Sequence, residues 1–106
     1  ANETRPEIEQ ILIGRGDPRL DNREFEKQLY ILRRRIEKAA IAENIGEFYV
    51  CSLSCRSVVY KGMFLAEHLS AFYPDLLDER FTSRFAIFHQ RYSTNTFPQW
   101  KLAQPF

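Results

Sequence analysis

The chain is poor in cysteine, glycine, methionine and tryptophan, and it carries no excess of either charge. Two cysteines, Cys51 and Cys55, in 106 residues are too few for the disulfide framework of a small secreted domain, so reduced thiols in a cytosol-like compartment are expected. Their Cys-x-x-x-Cys spacing differs from the two-residue gap of many metal and redox pairs. His68 and His89 lie too far apart to complete a zinc-finger ligand set, and no metal site is expected. Four glycines leave no phosphate loop, because Gly14-Arg15-Gly16 has no third glycine and no following Lys-Ser/Thr. Lysine plus arginine number 15 against 14 for aspartate plus glutamate, a balance that speaks against nucleic acid or an anionic membrane as the main partner. No apolar run approaches the roughly 18 residues of a bilayer span, and residues 1–5 do not read as a signal peptide. Asn2-Glu3-Thr4 matches the glycosylation sequon but lacks a secretory context. Internal repeats and low-complexity linkers are also missing.

What is present is globular. Hydrophobic residues at 44% and charged residues at 27% exclude wholesale disorder, and the length is that of one domain or a piece of one. The chain is rich in aromatics, with nine Phe and five Tyr.

Residues 7–13 end in aliphatic side chains and predict a short strand, broken by Gly14-Arg15-Gly16-Asp17-Pro18. Arg15-Gly16-Asp17 reads as a turn in preference to an integrin-type ligand. From Asp21 to about Glu43 the apolar positions Phe25, Leu29, Leu32, Ile36, Ala39 and Ala40 recur at helical steps and share one face. Asp21 or Asn22 is the expected cap. Arg33-Arg34-Arg35 reads as a solvated face neutralised by Glu26 and Glu37. Gly46 is the expected stop.

Residues 48–53 and 57–61 read as the arms of a hairpin turning at Ser54-Cys55-Arg56. Residues 64–72 suggest a short helix with Phe64, Leu65, Leu69 and Phe72 inward, stopped by Pro74. Residues 84–92 alternate in period two and are apolar on both faces, as in a central strand. Strand, helix, hairpin, helix, strand argues α+β or mixed α/β.

The most unusual stretch is His89-Gln90-Arg91-Tyr92-Ser93-Thr94-Asn95-Thr96-Phe97-Pro98-Gln99-Trp100. Composition leaves two readings of its dense hydrogen-bonding side chains. They satisfy turn backbone, or they hold a small polar ligand whose carboxylate meets the two parallel donors of Arg91.

Arg91-Tyr92-Ser93-Thr94-Asn95-Thr96, Pro98, Trp100 and Leu102-Ala103-Gln104-Pro105 resemble the signature of the amidotransferase domain of glutamate synthases. Upstream, Phe48 to Ser54, Val59-Tyr60-Lys61-Gly62-Met63, Phe72-Tyr73-Pro74-Asp75-Leu76 and Ile8-Glu9-Gln10-Ile11-Leu12 resemble the family's order and spacing, so the resemblance covers residues 1–106. It implies an α+β fold, part of a four-layer αββα sandwich of the amino-terminal-nucleophile hydrolase type. The implied reaction is glutamine to glutamate plus ammonia. A cysteine at the mature amino terminus attacks the side-chain amide with its own α-amino group as base, while backbone and Asn donors hold the oxyanion. The ammonia then serves the reductive amination of 2-oxoglutarate at a flavin site.

Carried over residue by residue, Arg91 matches the Arg that grips the glutamine α-carboxylate, Thr94 a contact to the amino-acid head group, and Tyr92 the aromatic between them. His89, Asn95 and Thr96 are pocket support. The parent enzyme is implied to carry FMN and an iron–sulfur cluster. Its implied partners are the rest of the large subunit and either ferredoxin or an NAD(P)H-oxidising small subunit, in the cytoplasm or in a plastid. The chain begins at Ala1, and neither Cys51 nor Cys55 matches the nucleophile. The Asn-Gly oxyanion segment is expected after Phe106. Residues 1–106 therefore read as a partial glutaminase domain without catalytic residues, inactive alone. The alternative is a free-standing, non-catalytic amino-acid-binding or regulatory module.

Overall fold

Asp21 starts the one long helix, α1, which spans Asn22–Ala42. Its carboxylate Oδ1 accepts from the Glu24 amide at 2.8 Å, satisfying one of the donors a helix leaves open at its start. The computed structural model describes residues 5–105. They divide into two compact units, Pro6–Val59 and residues 60–105 with Arg5, each built around one kind of anchor.

In the first unit, α1 buries Phe25, Leu29 and Ala40. Leu32 and Ile36 are half-buried, and Ala39, expected on the same face, is exposed. The helix is stopped by Asn44, not by Gly46 as expected. Asn44 takes φ 56; its amide donates to Ile41 O at 3.0 Å and the Ile45 amide to Ala40 O at 2.9 Å. That paired closure needs a left-handed residue just past the helix, a conformation Asn tolerates and most side chains do not. Ahead of α1, Gly16 at φ 79 and Asp17, whose side chain accepts from the Arg19 amide at 2.9 Å, form the expected turn. Arg15 lies over Phe25 at 5.4 Å and donates to Leu20 O at 2.7 Å. The Arg15-Gly16-Asp17 triplet is thus occupied by its own turn.

The basic run is neutralised by Glu37, which pairs with Arg33 at 3.0 Å and Arg34 at 2.7 Å. Glu26, the other expected partner, serves a different purpose. It accepts from the Ser54 hydroxyl, the Cys55 amide (2.9 Å) and the Cys55 thiol (3.1 Å), anchoring the turn between the expected hairpin arms. The chain does reverse there. Side chains replace the ladder: Ser52 Oγ accepts from the Val59 amide at 3.1 Å, and the Cys51 thiol donates to the Val59 carbonyl at 3.4 Å.

In the second unit the predicted helix over residues 64–72 is split. A 3-10 turn, Ala66–His68, precedes a single α turn, α2, over Leu69–Phe72, and Pro74–Leu77 forms another 3-10 turn. Phe64 and Phe72 face inward and stack at 5.0 Å, whereas Leu65 and Leu69 remain exposed. An aromatic cluster forms the core. Tyr60 meets Tyr73 edge-on at 4.8 Å, and Phe72 meets Trp100 at 5.5 Å. Trp100 is buried in this cluster, while Phe97 and Leu102 are exposed. Phe106 lies outside the described residues.

No strand forms among the described residues. Residues 7–13, 48–53, 57–61 and 84–92, all read as strands, lack ladder partners, because a strand takes its hydrogen bonds from a neighbouring chain segment and none is offered here. Phe85, Ile87 and Phe88 are accordingly exposed. Among the described residues no helix is long and apolar enough to cross a membrane.

Candidate functional site

Residues 89–96 follow the irregular 85–88 stretch and end in a bend at 95–96. Asn95 sits in the left-handed region at φ 58, and the Ser93 and Thr96 hydroxyls are hydrogen-bonded to each other across it. Asn95 and Thr96 therefore shape the loop. Arg91, Tyr92 and Thr94 lie on the exposed approach to this turn. Among the described residues no carboxylate pairs with Arg91, so its guanidinium fork is not consumed by a structural acid. His89 is exposed as well. An open hollow of about 270 Å³ is lined by Phe64, Phe72, Trp100, His68 and Arg5, and Arg91 is not part of its lining.

The far end of the motif is held firmly. Trp100–Leu102 form a 3-10 turn, and Lys61 Nζ donates to the carbonyls of Lys101 (3.0 Å) and Ala103 (3.2 Å). A Cβ added to Gly62 would come within 2.4 Å of Phe64 Cε1 and 2.7 Å of Trp100 Cζ3. The Tyr73 hydroxyl donates to Lys61 O at 2.7 Å. In the sequence, Lys61 ends the second expected hairpin arm and, with Gly62, forms part of the family resemblance. Its signal was a lone glycine beside a lysine between aromatic runs, and that pattern does not reveal a partner some forty positions later.

The Cys55 thiol is not set up as a nucleophile. It is pushed above its ordinary pKa by its hydrogen bond to Glu26, with burial adding to the effect, the opposite of activation. Glu26 is itself held down to about 2, first by the Ser54 hydroxyl and then by the Cys55 amide and thiol. No cluster of His, Cys, Asp or Glu among the described residues could hold a metal.

The family described as class-II glutamine amidotransferases matches residues 1–106. The chain is 68% identical over its full length to the glutamate synthase [NADPH] large chain of Azospirillum brasilense and covers 7% of that protein. It is 44% identical over 99% of its length to the corresponding large chain of Bacillus subtilis, again 7% of it. It is 49% identical over 99% of its length to the chloroplastic ferredoxin-dependent glutamate synthase of Spinacia oleracea, of which it covers 6%. No solved structure matches.

Proposed function

The chain belongs to the class-II glutamine amidotransferases, and from that membership we propose that it is part of the glutaminase domain of a glutamate synthase. The parent enzyme hydrolyses glutamine to glutamate and ammonia and passes the ammonia to the reductive amination of 2-oxoglutarate. Within it residues 84–92 act as a central strand of an αββα sandwich. Their two apolar faces, exposed at Phe85, Ile87 and Phe88, suit burial between neighbours on both sides.

Arg91 grips the glutamine α-carboxylate, with Tyr92 and Thr94 beside it and His89, Asn95 and Thr96 as support. The observation that carries this reading is that, among the described residues, no carboxylate pairs with Arg91, which lies directly ahead of a turn closed by its own side chains. Two parallel N–H donors suit a carboxylate, and a closed turn holds them in place before substrate arrives. Attack on the amide falls to a nucleophile other than Cys51 or Cys55, since Cys55 is hydrogen-bonded to a carboxylate and Cys51 to a backbone carbonyl.

FMN and the iron–sulfur cluster of such a synthase do not fit residues of this chain. A cluster of the common types takes four thiolates, and the two thiols here are engaged in the loop at residues 51–59. The Gly14–Gly16 segment is closed by Asp17 and offers no phosphate cradle. The partners we propose are the remainder of the large subunit and, for electrons, ferredoxin or an NAD(P)H-oxidising subunit. The setting is the bacterial cytoplasm or a plastid.

The test is Arg91→Ala in the full-length enzyme. Charge-assisted hydrogen bonds contribute about 1.5–3 kcal/mol each, so kcat/KM for glutamine should fall by about tenfold to a hundredfold. Arg91→Lys should recover little, because an ammonium lacks the planar fork. Ammonia-dependent synthesis should persist. Equal loss of both activities would make Arg91 a scaffold residue and sink the reading.

A further inference from the structure

We propose that Lys61 is a positioning residue for glutamine binding, holding the far end of the 91–103 segment so that Arg91 stays in register with its substrate. The inference rests on the reading of Arg91 as the carboxylate grip. Lys61 Nζ reaches two backbone carbonyls two residues apart, Lys101 at 3.0 Å and Ala103 at 3.2 Å. Lys101 lies within, and Ala103 just past, the one-turn helix Trp100–Leu102, which is closed by the Leu102 amide on Gln99 O (3.0 Å) and the Ala103 amide on Trp100 O (3.2 Å). An ammonium with three rotatable donors serves both carbonyls at once, as a neutral side chain of the same length does not.

Lys61 is itself fixed from the other side. Its carbonyl accepts from the Tyr73 hydroxyl at 2.7 Å, and the next residue, Gly62, lies where a Cβ would strike the Trp100 ring at 2.7 Å. The Lys61-Gly62 pair thus grips the 100–103 turn twice, by charge on its carbonyls and by backbone against its indole. Between that turn and the one closed by Ser93 and Thr96 stand only Phe97, Pro98 and Gln99, with Pro98 restricting the backbone further. A short, stiff tether anchored at one end limits where its other end, Arg91, can go.

The experiment uses the full-length enzyme with Lys61→Met, which keeps the aliphatic stem and removes the donors. KM for glutamine should rise about fivefold or more, since small misplacements of a binding group cost heavily. The melting temperature and ammonia-dependent synthesis should not change. Because Lys61 acts through Arg91, Lys61→Met/Arg91→Ala should be no worse with glutamine than Arg91→Ala alone. Gly62→Ala strikes the same contact from its other side and should raise KM in the same way. An unchanged KM in either folded variant, additive losses in the double mutant, or a parallel loss of ammonia-dependent synthesis overturns the inference. If Arg91→Ala itself leaves glutamine use intact, the carboxylate reading fails and the inference falls with it. An Arg91 effect without a Lys61 effect overturns the Lys61 inference alone.

Discussion

α1 and residues 84–92 differ in how much of their structure they supply themselves. α1 satisfies its backbone internally, is opened by Asp21 and closed by Asn44, and seats Phe25 and Leu29 within its own unit. Residues 84–92 are strongly patterned but form no regular element and stay exposed, because everything a strand needs lies on another segment. Helical hydrogen bonds run between positions four apart and are available to any suitable stretch. Strand bonds are long-range, so the same regularity of sequence yields an element only in company.

The largest expected effect breaks or sharpens that contrast directly. Leu29→Ala in the 106-residue chain should cost about 2–5 kcal/mol, as for a large-to-small change at a buried site. Ile87→Ala should change stability by no more than about 0.5 kcal/mol, as for an exposed site. Urea denaturation followed by helical circular dichroism measures both. A comparable loss at Ile87 would mean that residues 84–92 are packed after all.

Next in size are the ends of α1. Asn44→Val forces a β-branched residue into the left-handed region and should cost about 1–2 kcal/mol, whereas Asn44→Gly should be close to neutral. Asp21→Ala should cost about 1 kcal/mol through the lost cap. If Asn44→Val is neutral in the same denaturation experiment, the stop lies elsewhere, with Gly46 the obvious alternative.

The smallest effect concerns the loop anchored on α1. Glu26 has its folded pKa depressed from 4.5 to about 2 by Ser54 and Cys55. A depressed carboxylate contributes stability above its unfolded pKa and loses it as the group protonates. The anchor should therefore be intact above pH 4.5 and released as pH falls toward 2. Glu26→Gln should flatten this acid dependence, measured by NMR of the Ser54 and Cys55 amides. An unaltered titration of those amides in Glu26→Gln would show that Glu26 does not hold the turn.

How much was legible follows the same division. The span of α1, its Asp21 cap, the turn at residues 14–18 and the reversal at Ser54-Cys55-Arg56 are written in nearest neighbours and were readable. Glu26 read as a partner of the arginine run because helix spacing reveals only helical neighbours, and Ser54 and Cys55 come from a distant loop. The burial of Trp100 was not legible, because its cover, Gly62, Phe64 and Phe72, lies far back in the chain. Within the candidate site, Arg91, Tyr92 and Thr94 stood out by type and order, and the choice between turn-former and ligand contact stayed open for Asn95 and Thr96. The φ of Asn95 and the Ser93–Thr96 bond show that both take part in the turn.

The sequence by itself determined the family, through a motif running from Arg91 to Pro105 and a match along its whole length, and it determined α1, because helical geometry is local. Tertiary structure alone decided that Glu26 holds the loop at residues 54–55 and that Lys61 holds the carbonyls of residues 101 and 103. Those bonds join positions whose separation along the chain carries no period and no propensity. They exist only once folding has offset the entropy of bringing distant segments together.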